Sequence, residues 1–181
     1  ILIIEVDGIE AGLDTQRDQI IEICKSVGAR EVRQAENEQH RQQLWKARKQ
    51  AFGAIGRLAS SLVTQDGVVP RTQIPQMYKT IMAIGRKYDI QIVNVFHAGD
   101  GNIHPVMLFD ERDPSQTQRV LQAGGEILQA CLDAGGSVTG EHGIGVEKVK
   151  FMKQMFSEED LDVMAALRKA FNPNNRLSPD K

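Results

Sequence analysis

Long apolar runs are missing from this sequence, and so is any strong excess of one charge. No run approaches the ~18 apolar residues that a membrane-spanning helix needs, and no signal peptide is recognisable. The 22 basic and 24 acidic residues give a net charge of -2. Nothing in this balance favours nucleic acid or an anionic membrane as a partner.

Cysteines and nucleotide-binding motifs are also scarce. Cys24 and Cys131 are the only cysteines, and each lies on the apolar side of a predicted helix. Because disulfides are rare in a reducing compartment, we interpret both as buried free thiols. Neither a G-x-G-x-x-G segment nor a Walker lysine motif is present, so the chain contains no recognisable nucleotide-binding unit of its own.

The composition is that of an ordinary globular protein, with 41% hydrophobic and 25% charged residues among 181. This length fits one domain with a hydrophobic core. The chain begins in an apolar segment, Ile1–Val6, without an initiator methionine, and we predict a strand there. We expect residues 1–181 to be a single-domain fragment whose missing N-terminal part belongs to the same protein.

Helix and strand patterns alternate along the chain. In the first third we predict a helix capped by Asp14 or Thr15 and ending near Val27, a strand at Glu31–Gln34 and a helix over residues 37–52. From Leu62 onward we predict a strand to Val69, a helix from Pro75, strands Ile90–Phe96 and Ile103–Phe109, a helix from Asp113 to Ala134, a strand Ser137–Thr139, a helix from about Val146 and one capped by Ser157. The β-α-β-β-α-β order predicts an α+β, ferredoxin-like antiparallel sheet with its helices on one face.

Two of the four histidines, His97 and His104, flank the Asp-Gly pair at 100–101, which is a strong hairpin-turn signal. With a two-residue loop, His97 pairs directly with His104, and their Cβ atoms lie about 5 Å apart. Both imidazoles then reach one metal ion at about 2.1 Å. The alternative is that these are two ordinary histidines beside a turn.

The same register makes a prediction about Pro105. It sets Phe96 opposite Pro105 in a pair without hydrogen bonds, so the proline loses no bond to that partner. The other side of Pro105 must then be an edge, a bulge or a loop.

A third ligand is needed for a selective site, and Glu141 is the best candidate. Glu141 and His142 are an acid and a base placed among three glycines in the stretch 140–145, which offers no bulk for a core. Glycine permits close backbone approach and unusual φ values. A glycine-rich turn with surface charges is the alternative. The remaining histidine, His40, lies in the polar run Glu36–Gln43, and we interpret it as solvated.

The sequences H-A-G-D-G-N-I-H at 97–104 and G-E-H-G-I-G at 140–145 resemble the C-terminal domain of FAD-linked 2-hydroxy-acid oxidases and dehydrogenases. This family includes the flavin subunit of bacterial glycolate oxidase, D-lactate dehydrogenases and D-2-hydroxyglutarate dehydrogenase. Further similarities, weak when taken alone, lie at residues 3–8, 45–48, 66–71, 171–173 and 177–181. The terminal motif departs from the family pattern at Ser178 and Asp180.

The resemblance implies roles for particular residues. It assigns the metal ligands to His97, His104 and Glu141, the general base to His142, and the substrate carboxylate to Arg48, with Arg71 as a second cation. From the sequence alone, both arginines are equally well explained as surface cations.

The resemblance also implies cofactors and partners. FAD would be bound mainly by the missing N-terminal domain, and the divalent metal would be zinc first, with iron or manganese as alternatives. The expected partners are a small 2-hydroxy acid (glycolate or D-lactate), the chain's own FAD domain, and other oxidase subunits or an electron acceptor. The expected location is the cytoplasm, with peripheral contact to the inner membrane left open.

The implied reaction oxidises the 2-hydroxy acid to the 2-oxo acid by hydride transfer to flavin, so this fragment should be inactive alone. Two alternatives follow from the same residues. Two histidines and one carboxylate are the ligand set of non-haem iron oxygenases. A non-catalytic binding module would instead carry a purely structural metal with four protein ligands.

Overall fold

Contacts along the chain define two units, Ile1–Ala54 and Ile55–Lys181. The computed structural model describes residues 1–179. Asp180 and Lys181, which end the terminal motif, lie outside the described residues.

The first unit is built on two helices, α1 (Glu10–Ser26) and α2 (Glu38–Lys49). The strands predicted at Ile1–Val6 and Glu31–Gln34 are wrong, because both segments are irregular backbone. A strand depends on a neighbour for its hydrogen bonds, and neither segment pairs with a strand within residues 1–179. The first helix also begins earlier than predicted, at Glu10, with no side-chain cap from Ile9.

Polar contacts connect the start of the chain to α2. The carboxylate of Glu5 accepts hydrogen bonds from the indole Nε1 of Trp45 and from Arg41 Nη1, which lies 3.1 Å from both carboxylate oxygens. Asn37 caps α2 by accepting the backbone N–H of His40. The helix predicted over residues 37–52 is interrupted at Gln50, and a short helix, α3 (Ala51–Ile55), follows it.

The second unit contains one antiparallel sheet of four strands, β1 (Ser61–Thr64), β2 (Gly67–Val68), β3 (Gln91–His97) and β4 (Asn102–Phe109). β4 is central, with β3 on one side and both β1 and β2 on the other. Thr64 lies opposite Val106 and Gly67 opposite Ile103, so β1 and β2 continue one register along β4. The two strands therefore form one edge of the sheet beside β4, and this edge is interrupted at residues 65–66.

Two long helices, α4 (Ile74–Lys87) and α5 (Pro114–Asp133), pack on the sheet. The α+β prediction is confirmed. The β-α-β-β-α-β order is also observed, except that its last strand is shorter than predicted. The last strand, predicted at Ser137–Thr139, is only a single bridge between Ser137 and Val68. The main core includes Met77, Ile81 and Ile84 of α4, Ile103 and Met107 of β4, and Val120, Ala123, Ile127 and Cys131 of α5.

The two faces of the sheet have different neighbours. Ile103 and Met107 of β4 pack in the core with α4 and α5. Because side chains alternate along a strand, His104 and Val106 point to the opposite face. On that face Val106 packs with Ile55 and Val95. The sheet therefore presents His104 away from the two long helices.

In the described chain, three further α-helices and a 3-10 turn follow α5. They are α6 (Gly145–Lys148), a 3-10 turn Val149–Phe151, α7 (Met152–Met155) and α8 (Glu158–Phe171). A second 3-10 turn, Arg71–Gln73, precedes α4. Ser157 and Asp160 form the predicted capping box at the start of α8. None of the described helices is long and apolar enough to cross a membrane.

Both cysteines are free thiols, as predicted. Cys131 lies fully buried in the main core, and this burial raises the pKa of its thiol to about 12. Cys24 is only partly buried.

The hairpin between β3 and β4 differs from the prediction. Its loop has four residues, Ala98–Gly101, so the two-residue loop and its register are wrong. His97 lies opposite Asn102, and His104 lies opposite Val95. The physical reason for the longer loop lies at Gly101. This residue has a φ of +78°, and its carbonyl accepts the N–H of Val69 at 3.0 Å, so the turn is held against the neighbouring segment of chain.

We predict that Gly101→Ala destabilises this hairpin. An alanine Cβ would collide with the carbonyl oxygen of Val69, and a positive φ costs a non-glycine residue about 1–2 kcal/mol. Chemical denaturation should therefore give a free energy of unfolding lower by at least about 1 kcal/mol. Gly99→Ala is the matched control, because a Cβ there has open space. Equal stabilities of the two variants would contradict this account of the turn.

Candidate metal centre

The two histidines of the hairpin meet although the predicted register is wrong. A shift of two residues keeps a side chain on the same face of the sheet. His97 and His104 are therefore diagonal neighbours, and their ring centroids lie 5.3 Å apart. The side chain of His104 is 3% exposed, whereas that of His97 is 44% exposed. One ring lies in the protein and the other at its surface.

Pro105 explains why the neighbouring strand is interrupted beside His104. Pro105 lies opposite Asn94 of β3, so the predicted pairing with Phe96 is wrong. On its other side it accepts the N–H of Gln65 at 3.1 Å. In such a pair each residue normally donates to the other, but proline has no N–H to donate. The prediction that this side is irregular agrees with the break between β1 and β2.

The backbone carbonyl of Gln65, which receives no hydrogen bond from Pro105, orients the ring of His104. His104 Nδ1 lies 3.3 Å from the carbonyl oxygen of Gln65. Because a carbonyl only accepts, Nδ1 carries the proton, and in a neutral ring Nε2 then keeps its lone pair. Nε2 lies 2.7 Å from Oε1 of Glu141. Two acceptors this close require a proton or a cation between them.

Glu141 and His142 lie on a loop that is organised by a buried carboxylate. Asp66 Oδ2 accepts the backbone N–H groups of Gly140, Glu141 and His142 at 3.0, 3.1 and 2.9 Å. Burial of Asp66 by itself would raise the pKa of its carboxyl group. The hydroxyl of Thr139 and the three N–H donors outweigh that effect, so the pKa lies well below its usual range and the group is an anion near neutral pH.

Two further residues fasten the same loop. Thr139 Oγ1 donates to Asp66 Oδ2 at 2.7 Å and accepts the N–H of Gly143 at 2.8 Å. The buried Lys148 donates from Nζ to the backbone carbonyl of Asp66 at 2.8 Å, and Nζ lies 3.7 Å from Asp66 Oδ2. Burial lowers the pKa of Lys148, although the nearby Asp66 opposes this shift.

Close packing against the hairpin explains why residue 140 is a glycine. A Cβ atom there would lie 2.5 Å from Nδ2 of Asn102, the residue opposite His97 in the hairpin. Without a side chain, the loop backbone approaches the hairpin closely enough for Glu141 to reach the histidines. This is the close backbone approach expected from the glycine-rich sequence.

The ligand atoms of His97, His104 and Glu141 all lie within 4.8 Å of one another. Atoms that share one ion at about 2.1 Å in tetrahedral geometry lie about 3.4 Å apart, so a movement of about 1 to 1.5 Å between the two most distant ligand atoms completes the set. The half-exposed side chains of His97 and Glu141 permit this without repacking the core. Nitrogen and carboxylate donors suit zinc, iron or manganese. The residues therefore fit a divalent metal.

His142 lies beside these three residues. Its Nε2 is 3.9 Å from Oε1 of Glu141, and its ring stacks on that of His104 with centroids 5.3 Å apart and an angle of 16° between the planes. The side chain is 49% exposed. The arrangement offers a base with access to solvent or substrate next to a candidate cation site.

The other predicted residues lie in different places. Arg71 begins the 3-10 turn after Pro70, and its backbone N lies near the turn glycine Gly101. Arg48 belongs to the first unit, where its guanidinium lies 5.9 Å from the ring centroid of Phe52. His40 is half-buried at the surface, and its Nδ1 accepts the N–H of Glu36 at 3.4 Å, so its interpretation as solvated stays a prediction.

Gln65, Asp66 and Lys148 are site residues that the sequence reasoning did not single out. The available signal was an acid next to a glycine, at Asp66 and Gly67, directly before the apolar pair Val68-Val69. A buried acid requires donors, and the glycine-rich loop contains several free N–H groups. Nothing in the local sequence marks Gln65, because its contribution is a backbone carbonyl.

A family model described as "FAD linked oxidases, C-terminal domain" matches residues 1–181. The chain belongs to this family. The earlier resemblance is therefore confirmed, and with it the assignment of the fold to the C-terminal domain of FAD-linked oxidases.

Three curated relatives illustrate the similarity. The chain is 39% identical to "Glycolate oxidase subunit GlcD" of Escherichia coli K12 over 181 residues, covering 100% of this chain and 36% of the relative. The protein of the same name from Bacillus subtilis is also 39% identical, with 38% of its length covered. "Probable D-lactate dehydrogenase, mitochondrial" of Danio rerio is 30% identical over 182 residues, which cover 99% of this chain and 37% of the relative. The chain thus spans little more than a third of these relatives.

We predict that Pro105→Ala changes the tautomer of His104. The new backbone N–H would donate to the carbonyl of Gln65 and compete with His104 Nδ1. One neutral hydrogen bond corresponds to about a 2- to 10-fold change in the tautomer ratio. Nitrogen-15 NMR of the imidazole should show a smaller Nδ1-protonated fraction. Pro114→Ala, at the start of α5, is the control, and an unchanged His104 spectrum in Pro105→Ala would contradict this role.

Proposed function

We propose that the full-length protein is an FAD-dependent 2-hydroxy-acid oxidoreductase, and that this chain is its metal- and substrate-binding part. The observation that carries the proposal is the convergence of His97, His104 and Glu141 beside His142, on a side of the sheet that leaves three of these side chains half exposed. Membership of the FAD-linked oxidase family supports the flavin. The relatives named as glycolate oxidase and D-lactate dehydrogenase support a small 2-hydroxy acid as the substrate.

His97, His104 and Glu141 would hold the divalent metal, with zinc as the first expectation and iron or manganese as alternatives. Bound there, a metal supplies Lewis-acid chemistry that lowers the pKa of a substrate hydroxyl group. The tautomer of His104 suits this role, because its Nε2 faces Glu141 while Nδ1 is held by a carbonyl. Such a contact on the second ring nitrogen is usual for metal-binding histidines.

His142 would accept the proton of the substrate hydroxyl group. Histidine is the side chain best suited to proton transfer near neutral pH. Stacking on the nearly buried ring of His104 keeps the orientation of His142 defined while its exposed edge remains accessible. The FAD domain would hold the flavin, which would supply a hydride acceptor for the α-carbon of the substrate.

Arginine would hold the carboxylate of the substrate. Arg71 is the first candidate inside the second unit, because its backbone lies next to the turn between the two hairpin histidines. Arg48 is the second candidate, and its planar guanidinium suits bidentate binding of a carboxylate. Holding the carboxylate orients the hydroxyl group towards His142 and the α-carbon towards the flavin. Glycolate and D-lactate are the proposed substrates.

The proposal predicts that glycolate or D-lactate reduces the flavin of the full-length protein, and that His142→Ala slows this reduction about 100-fold or more. Loss of the proton acceptor should leave metal content unchanged. Stopped-flow absorbance of the oxidised flavin, recorded without oxygen, gives the rate.

His40→Ala is the control, since His40 is neither a metal ligand nor the proton acceptor in this proposal, and the rate should be unchanged. Absence of flavin reduction in the unsubstituted protein by both acids would refute the proposed substrates. A near-normal rate in His142→Ala would remove His142 as the base.

A separate prediction concerns the ligands. Replacement of His104 or His97 by alanine should remove most of the bound metal, because two ligands do not retain an ion selectively. Metal analysis by mass spectrometry of the purified variants measures this loss, again with His40→Ala as the control. Full retention of metal in both variants would show that these histidines are not ligands.

A further inference from the structure

Four hydrogen-bond donors converge on one oxygen atom of Asp66. They are the hydroxyl of Thr139 and the backbone N–H groups of Gly140, Glu141 and His142, at 2.7 to 3.1 Å. The Asp66 side chain has no exposed surface. A buried carboxylate with this many donors is a strong local constraint on the backbone that supplies them.

We propose that Asp66 is the positioning residue of the metal centre, and that its carboxylate sets where Glu141 and His142 stand relative to the hairpin histidines. The inference rests on the proposed function, because it assigns to Asp66 a role towards the metal that Glu141 would bind. Asp66 itself does not contact the ion or the substrate.

The reason is that, apart from their contacts with His104, these two side chains have little packing that would position them. Glu141 and His142 are half exposed, and the flanking glycines at 140 and 143 contribute no side chain to packing. Their location therefore depends on the path of the backbone. Three consecutive N–H groups directed at one oxygen atom fix that path at the two functional residues themselves.

The loop is attached to Asp66 at both of its ends. At the beginning, Thr139 and the three N–H groups bind the carboxylate. At the far end, Lys148 Nζ donates to the backbone carbonyl of the same residue at 2.8 Å. Lys148 also compensates part of the buried negative charge, since its Nζ lies 3.7 Å from the carboxylate.

Asp66 is also tied to the opposite side of the site. The register of β1 and β2 along β4 places Asp66 across from His104. The preceding residue, Gln65, presents its carbonyl oxygen to Nδ1 of His104. Two adjacent residues thus fix the ring of one ligand and the backbone of another, so a disturbance at Asp66 changes the distance between His104 and Glu141.

Asp66→Asn in the full-length protein tests this role. Asparagine has the same shape but lacks the charge. We expect the dissociation constant for Zn²⁺, measured by competition with a chromophoric chelator, to rise about 10- to 100-fold, the usual cost of losing a partner that orients a ligand. Hydrogen exchange of the metal-free protein should become faster at the amides of residues 140–142.

The matched control is Asp113→Asn. Asp113 also accepts backbone N–H groups, those of Ser115 and Gln116 at the start of α5. The control is matched because Asp66→Asn and Asp113→Asn each remove one carboxylate that binds backbone amides. Asp113 caps α5 and is not part of the site, so Asp113→Asn should keep the dissociation constant for Zn²⁺ within about twofold of that of the unsubstituted protein. A folded Asp66→Asn protein with unchanged Zn²⁺ affinity and unchanged exchange at residues 140–142 would overturn the proposal.

Thr139 provides a second test if Asp66→Asn does not fold. Thr139→Val removes the hydroxyl while keeping the shape, and Thr139→Ser keeps the hydroxyl. We expect Zn²⁺ affinity to fall about tenfold or more in Thr139→Val, the equivalent of one hydrogen bond to a charged group, and to be retained in Thr139→Ser. Equal affinities in the two variants overturn the role of Asp66. Failure of the unsubstituted protein to bind Zn²⁺ refutes the metal centre instead, while amide exchange still reports whether Asp66 fixes the loop.

Discussion

A carboxylate without access to water must find donors, and this requirement organises the second unit of the chain. Asp66 meets it with the hydroxyl of Thr139 and three consecutive backbone N–H groups. An anion removed from water costs several kcal/mol unless it is compensated in this way. The loop that carries Glu141 consequently has little freedom. The geometry of the candidate metal centre is thus a by-product of satisfying one buried charge.

The site combines fixed and adaptable parts. His104 is nearly buried, and its ring is oriented by a carbonyl, whereas His97, Glu141 and His142 are half exposed. One immobile donor defines where a cation would sit, and the exposed donors can follow a ligand that enters from solvent. A structural metal site would instead enclose the ion with four protein ligands. The asymmetry favours a centre that exchanges small molecules.

Sequence patterns predicted the fold class and the proximity of His97, His104, Glu141 and His142, for identifiable reasons. Apolar periodicity located the core strands and α4, and two histidines on one hairpin remained neighbours after a two-residue error in register, because side chains alternate with a period of two. The strand predicted at Ile1–Val6 failed, since apolar composition alone does not supply a partner strand. Asp66 and Gln65 were missed because their partners are distant in sequence or are reached through the backbone.

The sequence separation of the site residues has a consequence for assembly during synthesis. The hairpin places His97 and His104 only seven positions apart, so these two meet as soon as β3 and β4 pair. Asp66 and the loop bearing Glu141 are 74 to 76 residues apart, so they can meet only after the chain through this loop has been synthesised. A ribosome-bound chain that ends before α5 therefore contains both imidazoles but lacks the carboxylate of Glu141. Selectivity of the candidate metal centre among cations would therefore require that the loop carrying Glu141 has emerged and bound Asp66.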